Sequence, residues 1–466
     1  MWDKIKSAPL AITFDDVIIL PGFSSVEPHE IDLSTRFSTN IELSIPLVSS
    51  PMDMVSNDRV ASILAAMGGI GVIHRHCSVE EQEKMVRRVK ETDVHRDIPN
   101  VQLDASIIDA VRYLEKLNEQ IALIIEDIHV LGIIKLSKLS GGADLSPTKT
   151  LSDMLEMMNE EKTVSKLIRV ENKNIIVETY PEGSIKPTVD DDERLMVAAA
   201  CSPFDHRRLR ILNDIVDAIV MDVAHFHTKM CIEATKRVEG EIAVDLIIGN
   251  IGTSQAAEDI ITKLDKVDGF RVGIGSGSIC KTSEETGVFA PTLFATIETR
   301  SVLEKYSLNI PVIADGGISS IANALKALAL GANAVMCGRY LAGCLECPGP
   351  IIEIEGKKYK PYRGMGSLTV RLERMLDRYS KITKILPEGV EALVPYQGSL
   401  IEVIHRFIGG LKIAMGYAGA KSIPELRNVR IAMISQNAKR EMSPHSIIRV
   451  DPKTFWEAIR KLTKIP

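Results

Sequence analysis

Nowhere in the 466 residues does an apolar run approach the roughly eighteen that a membrane-crossing helix needs, which argues against a helical span. The opening MWDKIKSAPLAITFDD also lacks the long apolar stretch and small-residue cleavage site of a secretory leader. Basic excess is missing. Fifty-six Lys and Arg stand against 62 Asp and Glu, a formal net charge of −6, so a general nucleic-acid-binding surface is not expected. A cysteine framework is missing too: the seven cysteines are odd in number and scattered, which fits a reducing cytoplasm. Cys344 and Cys347 form a C-x-x-C in LAGCLECPGP, but no second ligand pair accompanies them, and both read as structural rather than zinc-binding. What remains is a globular composition, 45% hydrophobic and 25% charged, in a chain too long for one ordinary domain.

The chain has a strand-then-helix rhythm. Short apolar runs ending in Gly, Ser, Asp, Asn or His occur at PLVSS (46–50), GGIGVIH (68–74), MVAAACS (196–202) and AIVMDVAH (218–225). LIIGNI (246–251), FRVGIGSG (270–277), PVIADGG (311–317) and AVMCG (334–338) continue it. Near-continuous apolar character suits strands buried on both faces of a parallel sheet. Helix-compatible stretches such as AAEDIITKLDKV and SIANALKALALGA lie between them, the latter ending on Gly331 where a helix C-cap belongs. Eight such units predict an α/β fold, a (β/α)8 TIM barrel, with a doubly wound open sheet as the alternative.

One interval breaks the rhythm: about 120 residues separate the second and third strands, far more than a barrel connection needs. SVEEQEKMVRRVK at its start reads as a barrel helix. The rest has two similar halves, each an amphipathic helix and a hairpin: LDASIIDAVRYLEKLNE with QIALIIEDIHVLGIIKLSKLS, then TKTLSDMLEMMNEEK with VSKLIRVENKNIIVETYPEG. This resembles a pair of cystathionine-β-synthase (CBS) modules, the second half degenerate. The expected division is a barrel in two parts, 1–92 and 191–466, around an insert at 93–190, with TVDDDER as a solvated linker back to the barrel.

Active-site groups in such a barrel come from the C-terminal ends of the strands. The sixth run leads into GIGSGSICKT, a glycine-rich loop presenting Cys280 as a candidate nucleophile. Asp315-Gly316-Gly317 ends the seventh and Gly338 the eighth, where barrels commonly hold phosphate on backbone N–H groups. The Asp315 carboxylate is suited to accept hydrogen bonds from two ribose hydroxyls.

TFDDVIILP (13–21), SSPMDMVS (49–56), GGIGVIHRH (68–76), VGIGSGSIC (272–280), IADGGI (313–318), YRGMGS (362–367), GGLKIAMGY (409–417) and GAKS (419–422) resemble the IMP dehydrogenase/GMP reductase family. VAAACSPFDHRR and PHSI look like its archaeal members. The resemblance runs along nearly the whole chain. It implies that Cys280 attacks C2 of the hypoxanthine base of IMP, that hydride leaves to NAD, and that water releases XMP. Thr282 would lie near that water. Asp315 and Gly316 would hold the ribose side, Gly317, Gly338, Arg339 and Tyr362 the phosphate. Ser50, Met52 and Ser278 would line the nucleotide pocket, with Gly364, Met365 and Gly366 at the base. Asp222, Asn250, Gly273 and Gly275 would lie at the nicotinamide. Carbonyls of Gly275, Gly277 and Cys280 would bind K+, completed by Glu441, Met442 and Ser443 of a neighbouring copy. A cytoplasmic homotetramer, or octamer, is implied, with an adenine or guanine nucleotide as a ligand for the CBS-like insert.

Within the family, a dehydrogenase needs a water-activating flap carrying an Arg-Tyr pair. Arg378-Tyr379 falls in that place, within a flap at about 368–400, and Glu388 in PEGVE matches a flap position touching the base. A GMP reductase, which consumes NADPH and releases ammonia, is the main alternative; a non-catalytic nucleotide-binding regulator is the other. Four departures from the family pattern bear on specificity. Arg339 follows the phosphate glycine, where it would add a salt bridge or crowd the site. Lys281 and Ser283-Glu284 replace the usual run after the cysteine, and GVFAPTLFA replaces GVGVPQLTA. Phe226 in AHFHT is expected to stack on the cofactor or narrow its pocket.

Overall fold

A computed structural model of the chain describes residues 1–117, 120–139, 142–146, 148–161, 163–180, 185–370 and 389–442, with 450 and 455. Eight parallel strands close on themselves: β1 (Leu47–Ser49), β2 (Gly71–Ile73), β3 (Val197–Cys201), β4 (Ala218–Asp222), β5 (Asp245–Ile251), β6 (Gly269–Val272), β7 (Val312–Asp315) and β8 (Ala334–Cys337). Neighbours in the ring are neighbours in sequence, β8 pairs back onto β1, and a parallel bridge from Val48 to Ile70 joins β1 to β2. The closed barrel, not the open sheet, is the fold.

The strands are apolar throughout because both faces are covered. Val48, Ile70, Val72, Ala198, Ala200, Ala218, Val220, Ile247, Ile313, Ala334 and Met336 pack one another inside the barrel. Their alternates, among them Leu47, Ile73, Ala199, Met221, Ile248, Phe270, Ala314 and Val335, pack outward among the helices. The period of two thus hides within continuous runs. Phe37, Ile41 and Leu43, from the hairpin of Thr35–Arg36 and Glu42–Leu43, plug the N-terminal end. No helix among the described residues is long and apolar enough to cross a membrane. Cys344 and Cys347 are buried free thiols, and the Cys347 thiol donates to the Leu341 carbonyl at 3.1 Å.

Between β2 and β3, residues 100–179 build a separate six-stranded sheet with its own core. Helix Ile107–Lys116 buries Ile107, Ala110, Val111 and Leu114; helix Leu151–Glu160 buries Leu151, Met154 and Met158, each a single stripe at helical spacing. Their caps face each other. Ser106 and Thr150 each accept from the backbone N–H three residues on, and the two residues pair antiparallel, Ile107 N donating to Lys149 O and Leu151 N to Ala105 O.

The return to the barrel differs from a solvated linker. Asp191, Asp192 and Glu193 are exposed, but Asp190 is clamped by Lys90 Nζ at 3.0 Å and by Arg194 Nε at 3.0 Å. Lys90, at the end of helix Val79–Lys90, also bonds Asp217 at 2.7 Å, and the other Asp217 oxygen accepts from Val197 N. One ammonium therefore ties together the chain leaving the barrel and the chain returning. Burial opposes the charge on Asp190, but its bonds to Lys90 and Arg194 win and hold the carboxyl down at about 2; burial pushes Asp217 up despite Lys90.

Because the folded carboxyl of Asp190 is depressed, the stability it adds is present above its unfolded value of about 4 and fades as pH falls toward 2. Lys90→Ala leaves partly buried Asp217 without a cation and Asp190 with Arg194 alone, and is expected to cost about 3 kcal/mol at neutral pH. Thermal denaturation of parent and variant should show that gap narrowing below about pH 4; a gap independent of pH would refute the clamp.

Candidate active site

The loop after β6 can take its course only with glycine at its first position. Gly273 has φ +116°, and a Cβ there would lie 2.4 Å from the Asp315 carbonyl. Ile274 and Ala290 exchange backbone bonds of 2.9 and 3.1 Å, closing the base of the loop. Ser276 Oγ lies 2.6 Å from Thr292 Oγ1, which donates to the Asp315 carbonyl at 2.7 Å. At the tip, Cys280 N donates to the Gly277 carbonyl, and the Cys280 thiol donates to Thr282 Oγ1 at 3.2 Å. Cys280 pairs antiparallel with Gly389; Val390 N donates to Ile279 O and Gly364 N to Val390 O. The segment that leaves the described residues at Val370 thus returns hydrogen-bonded to the cysteine loop.

Beneath that loop runs a chain of partly buried charge centred on the buried Arg271. Arg75 Nε bonds Asp222 Oδ2 at 3.0 Å; Arg271 bonds Asp222 Oδ1 at 2.6 Å and Asp315 Oδ2 at 2.9 Å. Asn250 Nδ2 donates to Asp315 Oδ2 and to the Gly273 carbonyl, both at 2.9 Å. Burial opposes ionisation of Asp222, yet Arg271 and Arg75 hold its carboxyl below the usual range. Asp315 and Asp222 likewise hold Arg271 above its ordinary value against burial. Asp315 thereby keeps a fixed orientation, with Oδ2 doubly engaged and Oδ1 without a bonded partner among the described residues.

Ser50, Met52, Gly338 and Tyr362 converge. A Cβ on Gly338 would lie 2.8 Å from Tyr362 Oη, 3.2 Å from Met52 Sδ and 3.7 Å from Ser50 Cβ. Burial pushes the Tyr362 hydroxyl up to about 12, with a bond from Ser278 acting the other way. Next to these residues Arg363 grips Asp53 through Nε at 2.9 Å, and Met365 and Gly366 form the turn that follows Gly364. Gly317 lies against the Phe14 ring. Arg339 is exposed in the first turn of helix Arg339–Ala342. Glu441 and Met442 are exposed at the end of helix Gln436–Glu441. Arg378, Tyr379, Glu388 and Ser443 lie outside the described residues. Among the described residues no group of three or more His, Cys, Asp and Glu side chains is arranged for a metal ion, which leaves carbonyl ligands as the cation donors to consider.

One expectation fails. Phe226 neither stacks on a cofactor nor narrows a pocket: it is fully buried in the core between barrel and helices. Sequence reasoning also missed Arg271, Arg75, Asp53, Arg363, Ser276 and Thr292. Arg271 had a signal, a lone guanidinium inside the apolar run FRVG, which a strand buried on both faces tolerates only when paired.

Gly316, at φ +93°, tests the link between the β7 loop and the cysteine loop. A Cβ there would sit 2.8 Å from Ser276 Oγ and 3.2 Å from Gly277 N. Gly316→Ala is expected to cost about 1–2 kcal/mol in stability and, by displacing the cysteine loop, to lower turnover about a hundredfold. Gly277→Ala is the control. Its Cβ meets only Cys280 Cβ at 3.5 Å, and it should cost less than about tenfold. Steady-state kinetics of the two variants decide; equal losses would remove the argument.

The family described as IMP dehydrogenase / GMP reductase domain matches residues 11–445. The chain is 42% identical to inosine-5′-monophosphate dehydrogenase of Korarchaeum cryptofilum over 95% of its length and 98% of that protein's. It is 38% identical to the enzyme of that name from Methanocaldococcus jannaschii, over 96% and 97% respectively. Among solved structures it is similar to a GMP reductase variant from Trypanosoma brucei in complex with guanosine 5′-monophosphate. There the TM-score is 0.72 and the identity 30%, covering 96% of this chain and all of that one. With the barrel, the glycine-rich cysteine loop and these matches in hand, the chain belongs to the IMP dehydrogenase/GMP reductase family.

Proposed function

We propose that the chain oxidises IMP to XMP with NAD, through a covalent adduct on Cys280. The observation that carries this reading is the pairing of Cys280 with Gly389. It tethers one end of the segment holding Arg378, Tyr379 and Glu388 to the nucleophile's own loop, where a water-activating flap is needed. A reductase, releasing ammonia, has no such need.

The steps balance without a further reactant. Cys280, as thiolate, adds to C2 of the base, and the C2 hydrogen leaves as hydride to NAD, giving NADH and a thioimidate. Water then adds to C2 and the thiolate departs, leaving XMP and a proton. Asp315, oriented by Arg271 and Asn250, fixes the ribose, while Gly317, Gly338 and Tyr362 receive the phosphate. Asp222, Asn250, Gly273 and Gly275 would lie at the nicotinamide of a bound NAD, and the Arg378-Tyr379 pair would prepare the water.

The cysteine loop also suits a potassium ion. Its donors are neutral carbonyls of Gly275, Gly277 and Cys280, and the Gly277 carbonyl accepts one N–H, which leaves it a second lone pair. Bound there, the ion would hold the loop's shape, with residues 441–443 of a second copy completing it in a cytoplasmic homotetramer. The insert between β2 and β3, with its two helix-hairpin halves, fits a CBS pair that takes an adenine or guanine nucleotide.

Purified protein with IMP, NAD and K+ should form NADH, followed by absorbance, and Cys280→Ala should lower the rate at least about a thousandfold. Omitting K+ should lower it as well. Silence with IMP together with NADPH oxidation on GMP would transfer the assignment to the reductase.

A further inference from the structure

The tip of the cysteine loop is tied to a neighbouring strand, and that strand leads to a buried acid that the proposed chemistry does not use. Val390 N donates to the Ile279 carbonyl at 3.1 Å, Cys280 pairs with Gly389, and Ser278 bonds the Tyr362 hydroxyl. Gly364 N donates to the Val390 carbonyl at 3.0 Å. A Cβ on Gly364 would lie 3.0 Å from the Ile279 oxygen and 3.1 Å from Gly389 Cα, so three backbones meet there. These ties converge on the end of strand Lys357–Arg363, where Arg363 pairs with Glu391 across the ladder. The Arg363 side chain donates through Nε, at 2.9 Å, and through Nη2 to a single oxygen, Asp53 Oδ2. Its Nη1 donates to Thr369 Oγ1 at 3.4 Å.

Asp53 belongs to the barrel side of this contact. It lies in the loop after β1, where Met52 N donates to the Ser50 carbonyl at 2.7 Å and Ser56 N to the Met52 carbonyl at 2.9 Å. Ser56 Oγ closes the loop with a bond of 2.9 Å to the Ser50 carbonyl. The Asp53 side chain is 7% exposed, and its Oδ1 is buried with no hydrogen-bond partner among the described residues. His76 Nε2 stands 3.9 Å from Oδ2. A carboxylate this buried is costly without a fixed cation, and the Arg363 fork supplies one through charge-assisted bonds. One residue earlier in each segment, Met52 Sδ accepts from the Tyr362 hydroxyl at 3.8 Å. The β1 loop and the outer strand are thus joined at two successive residues.

We propose that Asp53 is a positioning residue for the nucleophile: through Arg363 it sets the tip of the cysteine loop relative to the barrel, and so aims Cys280 at the base. This rests on Cys280 being the group that attacks C2. The influence of Asp53 travels through bonds with defined partners, from Asp53 to Arg363, from Gly364 to Val390 and from Val390 to Ile279. A misplacement of about 1 Å at a reacting centre costs about a hundredfold in rate. Loss of the tie therefore slows attack and hydride departure, while the groups that hold ribose and phosphate stay in place.

Two measurements on the full chain test this. Calorimetric titration with IMP gives the binding-competent fraction and the dissociation constant. Rapid mixing of excess protein with IMP and saturating NAD gives the single-turnover rate of NADH formation. Asp53→Asn, close to isosteric, should lower that rate about thirty- to a hundredfold. Its IMP stoichiometry should match the parent's, with a dissociation constant within about threefold. Arg363→Lys keeps the charge but loses the fork, and should behave in the same way. The double variant should be no slower than the slower single one, because both changes cut one tie. A parent-like rate with reduced stoichiometry would show that Asp53 serves folding alone, and would overturn the proposal. An unchanged rate would overturn it too, as would losses that multiply in the double variant, since Asp53 would then not act through Arg363. The parent is run first. If it forms no NADH from IMP but oxidises NADPH with GMP, the assigned reaction fails rather than the role of Asp53, and the same three variants decide that role in the GMP reaction.

Discussion

Arg271 is a full positive charge where water scarcely reaches, with 8% of its side chain exposed. Left alone there it would be among the most destabilising groups in the barrel. Asp222 at the end of β4 and Asp315 at the end of β7 make it tolerable, and the dependence is mutual, since each carboxylate is partly buried beside it. Coulomb attraction at these separations exceeds the desolvation of any one partner only because the others are present. The orientation of Asp315, the seating of Asn250 and the first turn of the cysteine loop follow from that balance. Removing the guanidinium would leave Asp222 with Arg75 alone and Asp315 with Asn250 alone.

The loops above this ladder are thin for a physical reason. Gly273, Gly316 and Gly338 stand where a single Cβ would strike the Asp315 carbonyl, the Ser276 hydroxyl or the Tyr362 hydroxyl. Three strand ends thereby approach one another more closely than side chains permit, and the space they leave is bordered by backbone. Backbone N–H and C=O groups cannot change rotamer, so such a border is preorganised.

The barrel was legible because strands covered on both faces must be apolar at every position, so each of the eight appears as an unbroken run. The insert was legible because an interval of about 120 residues has no other place in a barrel. Side-chain direction was not. Phe226 lies in a loop, where no period says whether a ring points to the ligand or the core, and it points to the core. Asp190 sits in a run of acids that composition alone marks as solvated, yet its partner Lys90 is distant in sequence. Arg271 and Asp222 are likewise far apart along the chain, and only closure of the ring brings them within 2.6 Å. Cys280, Asp315 and Gly338 were readable because they end strands, a position that sequence does reveal.

On the proposed reading, the adduct on Cys280 first loses hydride from C2 of the base and then meets water, so it must see two different neighbours in turn, and what brings the second must be tied close to it. The ties are polar and specific. Thr369 donates through its backbone N–H and its hydroxyl to Glu391 Oε1, at 3.0 and 2.8 Å, and these bonds hold that carboxyl down at about 2. Arg363, beside Gly364, is gripped by Asp53 from the β1 loop. The chain therefore departs and returns through one small hydrogen-bonded gate, and Gly389 at its inner edge pairs with Cys280 itself. A shift of one residue in that pairing would turn alternate side chains to the opposite face. Register at Gly389 thus fixes where the returning chain meets the cysteine.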